Sequence, residues 1–195
     1  YRLRIANQTI NLSIDSTETV TVKAAYPQMS YKYEVEGSEN CNTIKELSLK
    51  QMLLQSNING IVKNPNIGVD SLDVIVARML NDYKQDIKRN YIFKAPMQAS
   101  SYYALFQTIQ LGNTNSLIFN PRNNKEDVKV FAAVATSWDT YYPGAERGKN
   151  LHNIAIEGMK DIRIIENQMA QQKIDASKVQ VNGCIELALQ DNQGQ

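Results

Sequence analysis

Side chains that move protons or grip metals are scarce in this chain. It carries one imidazole, His152, and two thiols, Cys41 and Cys184, among 195 residues. Imidazole is the usual general base near neutral pH and the commonest metal ligand. A cage of histidines is therefore excluded, and a Cys/His site musters only three such ligands. A Cys41–His152 nucleophile–base dyad exists on paper. Yet Cys41 lies in Gly37-Ser38-Glu39-Asn40-Cys41-Asn42, which reads as a loop with nothing nearby to activate a thiol. The two cysteines have another chemistry open to them. In an oxidising compartment, a Cys41–Cys184 disulfide would join distant parts of the chain and stabilise it by about 4 kcal/mol. Otherwise they are two unrelated thiols, with Cys184 a small buried strand residue.

The densest aromatic cluster is Trp138-Asp139-Thr140-Tyr141-Tyr142-Pro143, followed by Gly144-Ala145-Glu146-Arg147-Gly148-Lys149-Asn150. On a surface loop, Trp138, Tyr141 and Tyr142 bury area at low entropic cost, and with Asp139, Glu146 and Arg147 they form the candidate binding surface for a protein or glycan. The competing reading makes Trp138 a plug at one end of the core, with the tyrosines covering a sheet edge. Asp139 and Glu146 also pose as paired carboxylates for glycoside hydrolysis, a chemistry open to any two facing acids. The glycines mimic a phosphate loop. A phosphate loop, however, needs four residues between its glycines and a hydroxyl after the lysine, whereas three residues and Asn150 stand here. A turn using glycine's freedom at positive φ accounts for them.

The elements that position these residues read as α+β. Ile10, Leu12 and Ile14, then Val20, Val22, Ala24 and Tyr26, then Tyr31, Tyr33 and Val35 alternate with polar residues, predicting three half-buried strands. Asp15-Ser16-Thr17 is a turn, and Tyr26-Pro27 ends a strand. Thr43-Ile44-Lys45-Glu46 predicts a capping box opening a helix that stops at Asn59-Gly60. A loop over 63–68 leads to a second helix with Asp70 as cap and Leu72, Ile75, Val76, Met79, Leu80, Tyr83 and Ile87 at helical spacing. Residues 102–111 and 128–136 read as central strands, apolar on both faces, with a hairpin turn at Gly112-Asn113-Thr114-Asn115. Leu151, Ile154, Ala155, Met159, Ile162, Ile165 and Met169 predict one long helix, in which Gly158 costs about 1 kcal/mol relative to Ala. A strand over 152–157 followed by a shorter helix is its rival. Residues 178–189 read as a closing strand and 190–195 as a frayed polar tail. The expected architecture is a single α+β domain over 1–195, with residues 1–17 as an N-terminal extension strand and an antiparallel β-sheet carrying two or three helices on one face.

Composition narrows the function classes. Hydrophobic residues make up 43% and charged residues 21%, values of a folded globular chain. The formal net charge of +1 gives no broad basic field for nucleic acid or anionic lipid. No apolar run approaches the roughly 20 residues that span a bilayer. The chain opens on Tyr1 rather than Met, so it reads as a processed product or a piece of a longer one, leaving room for a removed export signal or anchor. Asn7-Gln8-Thr9 and Asn11-Leu12-Ser13 match the N-glycosylation pattern, which also arises by chance. Richness in Asn, Gln, Tyr and Lys suits an exported bacterial domain.

Two segments carry a resemblance. A strand ending in Ala25-Tyr26-Pro27-Gln28, followed by a helix, a loop and a second helix, is similar to bacterial extracytoplasmic domains of lipoproteins and lysozyme-sensing anti-sigma factors. Those domains have a strand leading to a Tyr-Thr-Gly-Gly-Ala-His-Gly-like turn, whose counterpart here is Tyr141-Tyr142-Pro143-Gly144-Ala145-Glu146-Arg147-Gly148. Glu146-Arg147 stand where those domains show His, and Pro143 where they show Gly. The resemblance spans residues 18–157 loosely. It implies an envelope α+β binding domain and supplies no catalytic residue, cofactor or metal. The leading expectation is thus a non-enzymatic extracytoplasmic bacterial domain that binds a protein or glycan. A structural subunit of a secretion apparatus or phage particle is second, and a carboxylate-based hydrolase third.

Overall fold

A computed structural model describes the fold of residues 1–15 and 17–191, and side-chain environments up to residue 177. The fold is α+β, and every strand pair is antiparallel. The strands form three separate hairpins rather than one sheet: β1 (Arg2–Ile5) with β2 (Gln8–Asn11), β3 (Thr21–Ala24) with β4 (Tyr33–Glu36), and β5 (Thr108–Leu111) with β6 (Thr114–Leu117). The helices are α1 (Glu39–Val62), α2 (Val69–Ile87), α3 (Ala99–Leu105), α4 (Lys125–Tyr141) and α5 (Glu146–Asp191), with a π-helical turn at Lys88–Ile92 after α2. The expected extension strand over 1–17 is instead the β1–β2 hairpin, turned at Ala6 and Asn7.

A single sheet is absent because one expected central strand is helical and the other is helical in its first four residues. Residues 128–136 lie in α4, and residues 102–105 close α3 before β5 begins at Thr108. A run of continuous apolar residues suits a buried strand and a buried helix equally. The residues beyond the run decide it. Asn124 caps α4 by accepting from the amides of Glu126 and Asp127, at 2.9 and 3.2 Å, and both acids lie in the first turn, where the helix dipole favours them. Asp127, Phe131, Val134, Ala135 and Trp138 are buried at helical spacing, while Lys129, Ala133 and Thr136 face water.

Helix α1 starts earlier than its Thr43 capping box suggests. Ser38 is the cap, its hydroxyl accepting from the Cys41 amide at 3.2 Å, so the expected loop around Cys41 is the first helical turn. The Thr43 hydroxyl instead donates to the Glu39 carbonyl one turn back. For α2 the cap is Gly68, with Asp70 inside the first turn. Helix α5 runs through the expected closing strand at 178–189, and the expected tail lies outside the described residues from 192 onward.

Two cores result. The main one gathers Leu47, Leu54 and Ile58 of α1 with Tyr83, Ile87, Leu105, Phe119, Phe131, Val134 and Leu151. A smaller one holds Ile10, Met29, Tyr33, Val35 and Cys41 under the first two hairpins. Helix α1 serves both, its first turn in the small core and its body in the main one. Several polar groups inside are paired. Tyr83 donates to Gln107 Oε1 at 2.8 Å, and Gln107 Nε2 donates to the Leu47 carbonyl at 2.9 Å. The Lys84 ammonium meets the buried Asp127 carboxylate at 2.6 Å, and that carboxylate also accepts from the Asn120 amide.

Candidate functional site

Five aromatic rings run from the main core to the turn between α4 and α5. Phe131 of α4 meets Phe106 edge-on at 5.7 Å, Phe106 meets Tyr102 at 4.9 Å, Tyr102 meets Trp138 at 5.4 Å, and Trp138 meets Tyr142 at 5.1 Å. These separations are those of attractive ring pairs. Trp138 is 7% exposed and belongs to the main core, so its place is that of a core plug. It sits in the last helical turn of α4, not in a surface loop, and its carbonyl accepts from the Tyr142 amide at 2.7 Å. Tyr141 and Tyr142 are about half exposed. The turn itself uses Gly144 at φ +79, the conformation its glycine foretold.

Trp138 also forms part of the wall of a cleft of about 340 Å³. Tyr142, Ala145 and Arg147 line it from the α4–α5 turn, Asn40 from the first turn of α1, and Asp15 and Glu18 from the segment after β2. Arg147 lies in the first turn of α5 with its guanidinium 5.4 Å from the centre of the Tyr102 ring. On the opposite side, the Asp15 carboxylate accepts from both the amide and the hydroxyl of Thr17 at 2.7 Å, and those bonds hold its pKa below the usual value. The cleft thus combines an aromatic wall, one cation and two carboxylates. The indole nitrogen of Trp138 is the one buried side-chain nitrogen or oxygen among the described residues without a hydrogen-bond partner. An unmet donor of this kind costs about 1–3 kcal/mol.

The six candidate residues divide. Trp138, Tyr142 and Arg147 meet at the cleft. Asp139 serves elsewhere, its carboxylate lying 2.5 Å from His152 Nε2 and tying the end of α4 to the second turn of α5. Glu146 and Tyr141 are exposed and do not line the cleft, so Asp139 and Glu146 do not pair across it. Cys41 is a buried free thiol that donates to the Ser13 carbonyl at 3.1 Å, and it shares no hydrogen bond with His152. The side chain of Cys184 lies outside the described residues. Among the described residues, no three His, Cys, Asp or Glu side chains converge as a metal site. Asp15 and Glu18 carry no sequence signal that marks them as site residues. Asp15-Ser16-Thr17 is legible as a turn, but nothing local tells which helix end that turn will face.

The segments carrying the family resemblance both fall at turns. Residues 25–28 follow β3, where Tyr26–Pro27 is cis, and residues 141–148 span the α4–α5 turn, which a helix rather than a strand enters. The chain matches no protein-family model, no curated protein and no solved structure. Among the described residues, no helix is long and apolar enough to cross a membrane.

Proposed function

We propose that this chain is a non-enzymatic, extracytoplasmic bacterial domain that binds a protein or glycan partner of the cell envelope in the cleft beside Trp138. The observation that carries the reading is a cleft walled by Trp138 that also presents Tyr142, Arg147, Asp15, Glu18 and Asn40. Aromatic faces stack on sugar rings and apolar side chains alike, and the surrounding donors and acceptors fix orientation. The single imidazole is engaged with Asp139 outside this cleft.

The chain has one tryptophan, so its fluorescence reports this cleft directly. Titration with soluble peptidoglycan fragments tests the glycan arm. A photo-cross-linking residue at position 145, which also lines the cleft, tests the protein arm in the living envelope. A saturable change in Trp138 emission, or a discrete cross-linked product, is expected. Either signal should disappear in a folded Tyr142→Ala/Arg147→Ala variant. Silence in both arms, or signals that survive the double substitution, would sink the reading.

One feature favours the second reading, a structural subunit of a larger particle. Helix α5 is 46 residues long, yet from residue 166 to 177 every side chain is exposed, including Met169 and Ile174. An isolated helix is marginal in water, and a projecting one gains stability by packing on a neighbour. Stable higher oligomers in sedimentation of the purified chain would favour this reading, and a strict monomer would exclude self-assembly.

A further inference from the structure

We infer that the free edge of β1 is a docking site for an extended segment of a protein partner, one that alternates carboxylates with apolar residues. Hydrogen-bond phase along the hairpin fixes which backbone groups are free. Tyr1 and Leu12 exchange both backbone hydrogen bonds, at 2.6 and 2.9 Å. Such pairs alternate along an antiparallel ladder, so Leu3↔Ile10 and Ile5↔Gln8 are also bonded pairs, and the backbone groups of Arg2 and Arg4 point away from β2. The other side of the hairpin agrees with this phase: the Thr9 amide, opposite Arg4, points outward and donates to Ser30 Oγ at 3.1 Å.

Two other strand edges are met from outside their hairpins. The outer edge of β2 is met by Ser30. The outer edge of β5 is met by glutamines of α1, with Gln51 donating to the Thr108 carbonyl at 2.6 Å and Gln55 bonding both polar groups of the Gln110 backbone at 2.8 and 2.9 Å. Natural proteins cover or blunt strand edges because an open edge templates pairing. Among the described residues nothing covers Arg2 or Arg4, and all four residues of β1 are exposed.

The side chains say what fits. Arg2 and Arg4 make no ion pair among the described residues; their Nε atoms donate to Asn11 Oδ1 and the Ala6 carbonyl. A strand added to this edge would place its own side chains directly opposite both arginines, where carboxylates are favoured and cations are repelled. On the other face Leu3 lies across from Ile10, which is buried in the small core. Leu3 and Ile5, 42% and 51% exposed, thus extend that core's apolar face into solvent, and apolar residues at the alternate positions of a partner strand would cover them. A second copy of β1 is the wrong occupant, since self-pairing sets arginine against arginine. This contact is separate from the cleft and does not depend on it.

The test uses the full chain and a fluorescein-labelled ten-residue peptide alternating glutamate with valine. Binding is read by anisotropy, and amide exchange of Arg2 and Arg4 is followed by NMR. The expected result is saturable binding that slows exchange at both arginine amides. A lysine–valine peptide should bind at least about tenfold more weakly, from two reversed cross-strand pairs. Arg2→Glu/Arg4→Glu should reverse that ranking. Arg4→Pro removes an outward N–H without touching the β1–β2 ladder, so it should abolish binding while the hairpin resonances persist. The inference is overturned by any of three results: no binding up to millimolar peptide, fast arginine amides at saturation, or a ranking that charge reversal leaves unchanged.

Discussion

Two glycines in helices should respond differently to the same substitution. Replacing glycine by alanine inside a helix stabilises by about 1 kcal/mol, because the unfolded chain has less freedom to lose. At Gly60 in α1, an added Cβ meets nothing within 4 Å. Gly60→Ala should therefore realise most of that gain. At Gly158 in α5, the added Cβ would lie 2.6 Å from the Pro121 carbonyl oxygen and 3.1 Å from the Pro121 Cβ. Ordinary contact begins at 3.4 Å, so α5 or the Pro121 loop must retreat by about 0.8 Å (3.4 minus 2.6). The loop is poorly placed to yield: the Asn120 amide is held by Asp127 at 2.8 Å, and Asn120 Oδ1 accepts from the Arg122 amide at 3.0 Å. Overpacking of this kind costs about 1–3 kcal/mol, which cancels or exceeds the propensity gain. Gly158→Ala should thus lie roughly 1–3 kcal/mol below Gly60→Ala in stability. Urea denaturation measures this, with a separation of about 0.5–1.5 M in midpoint at a slope near 2 kcal/mol/M. Equal stabilisation by the two substitutions would refute the close approach of α5 to Pro121.

Trp138→Ala should cost about 3–5 kcal/mol, as for other large buried aromatics, whereas Tyr142→Ala, about half exposed, should stay within about 1 kcal/mol; chemical denaturation of each variant checks the pair. Alkaline stability should follow the buried phenols. Burial pushes Tyr33 up to about 12 and raises Tyr83 as well, while an unfolded tyrosine titrates near pH 10. Above that pH the unfolded chain releases protons that the native state keeps. Stability is therefore whole below about pH 10 and falls as pH climbs toward the folded values. Midpoints of urea unfolding against pH should fall less steeply in Tyr33→Phe/Tyr83→Phe, and an unchanged slope would refute the assignment.

Much of the local structure was legible because its signals are local. The period-two alternation around Ile10, Val22 and Val35, the turn at Gly112, the apolar stripe of α2 and the long stripe from Leu151 depend on neighbours within a turn or two. Two differences, at 102–105 and 128–136, share one cause. Where apolar residues run without interruption, neither period is visible, and the β-branched valines of α4 favoured the wrong one. The cap at Asn124 was the local cue that outweighed them. The candidate site was half legible: Trp138, Tyr142 and Arg147 are close in sequence, and their types announced a contact surface.

The sequence alone determined what chemistry this chain has at its disposal. One imidazole, two thiols, near-zero net charge and an α+β pattern are properties of composition and short-range order, which folding does not alter. Only the tertiary structure decided which groups meet. It brought Asp15 and Glu18 to a cleft more than a hundred residues away from them in sequence, gave His152 to Asp139, and sank Trp138 into the core with its indole N–H unmet. It also left β1 open while Ser30 and the α1 glutamines met the edges of β2 and β5. The physical reason is range. Propensity and periodicity act over a few residues, whereas burial and hydrogen-bond completion are settled between segments whose meeting no local pattern encodes.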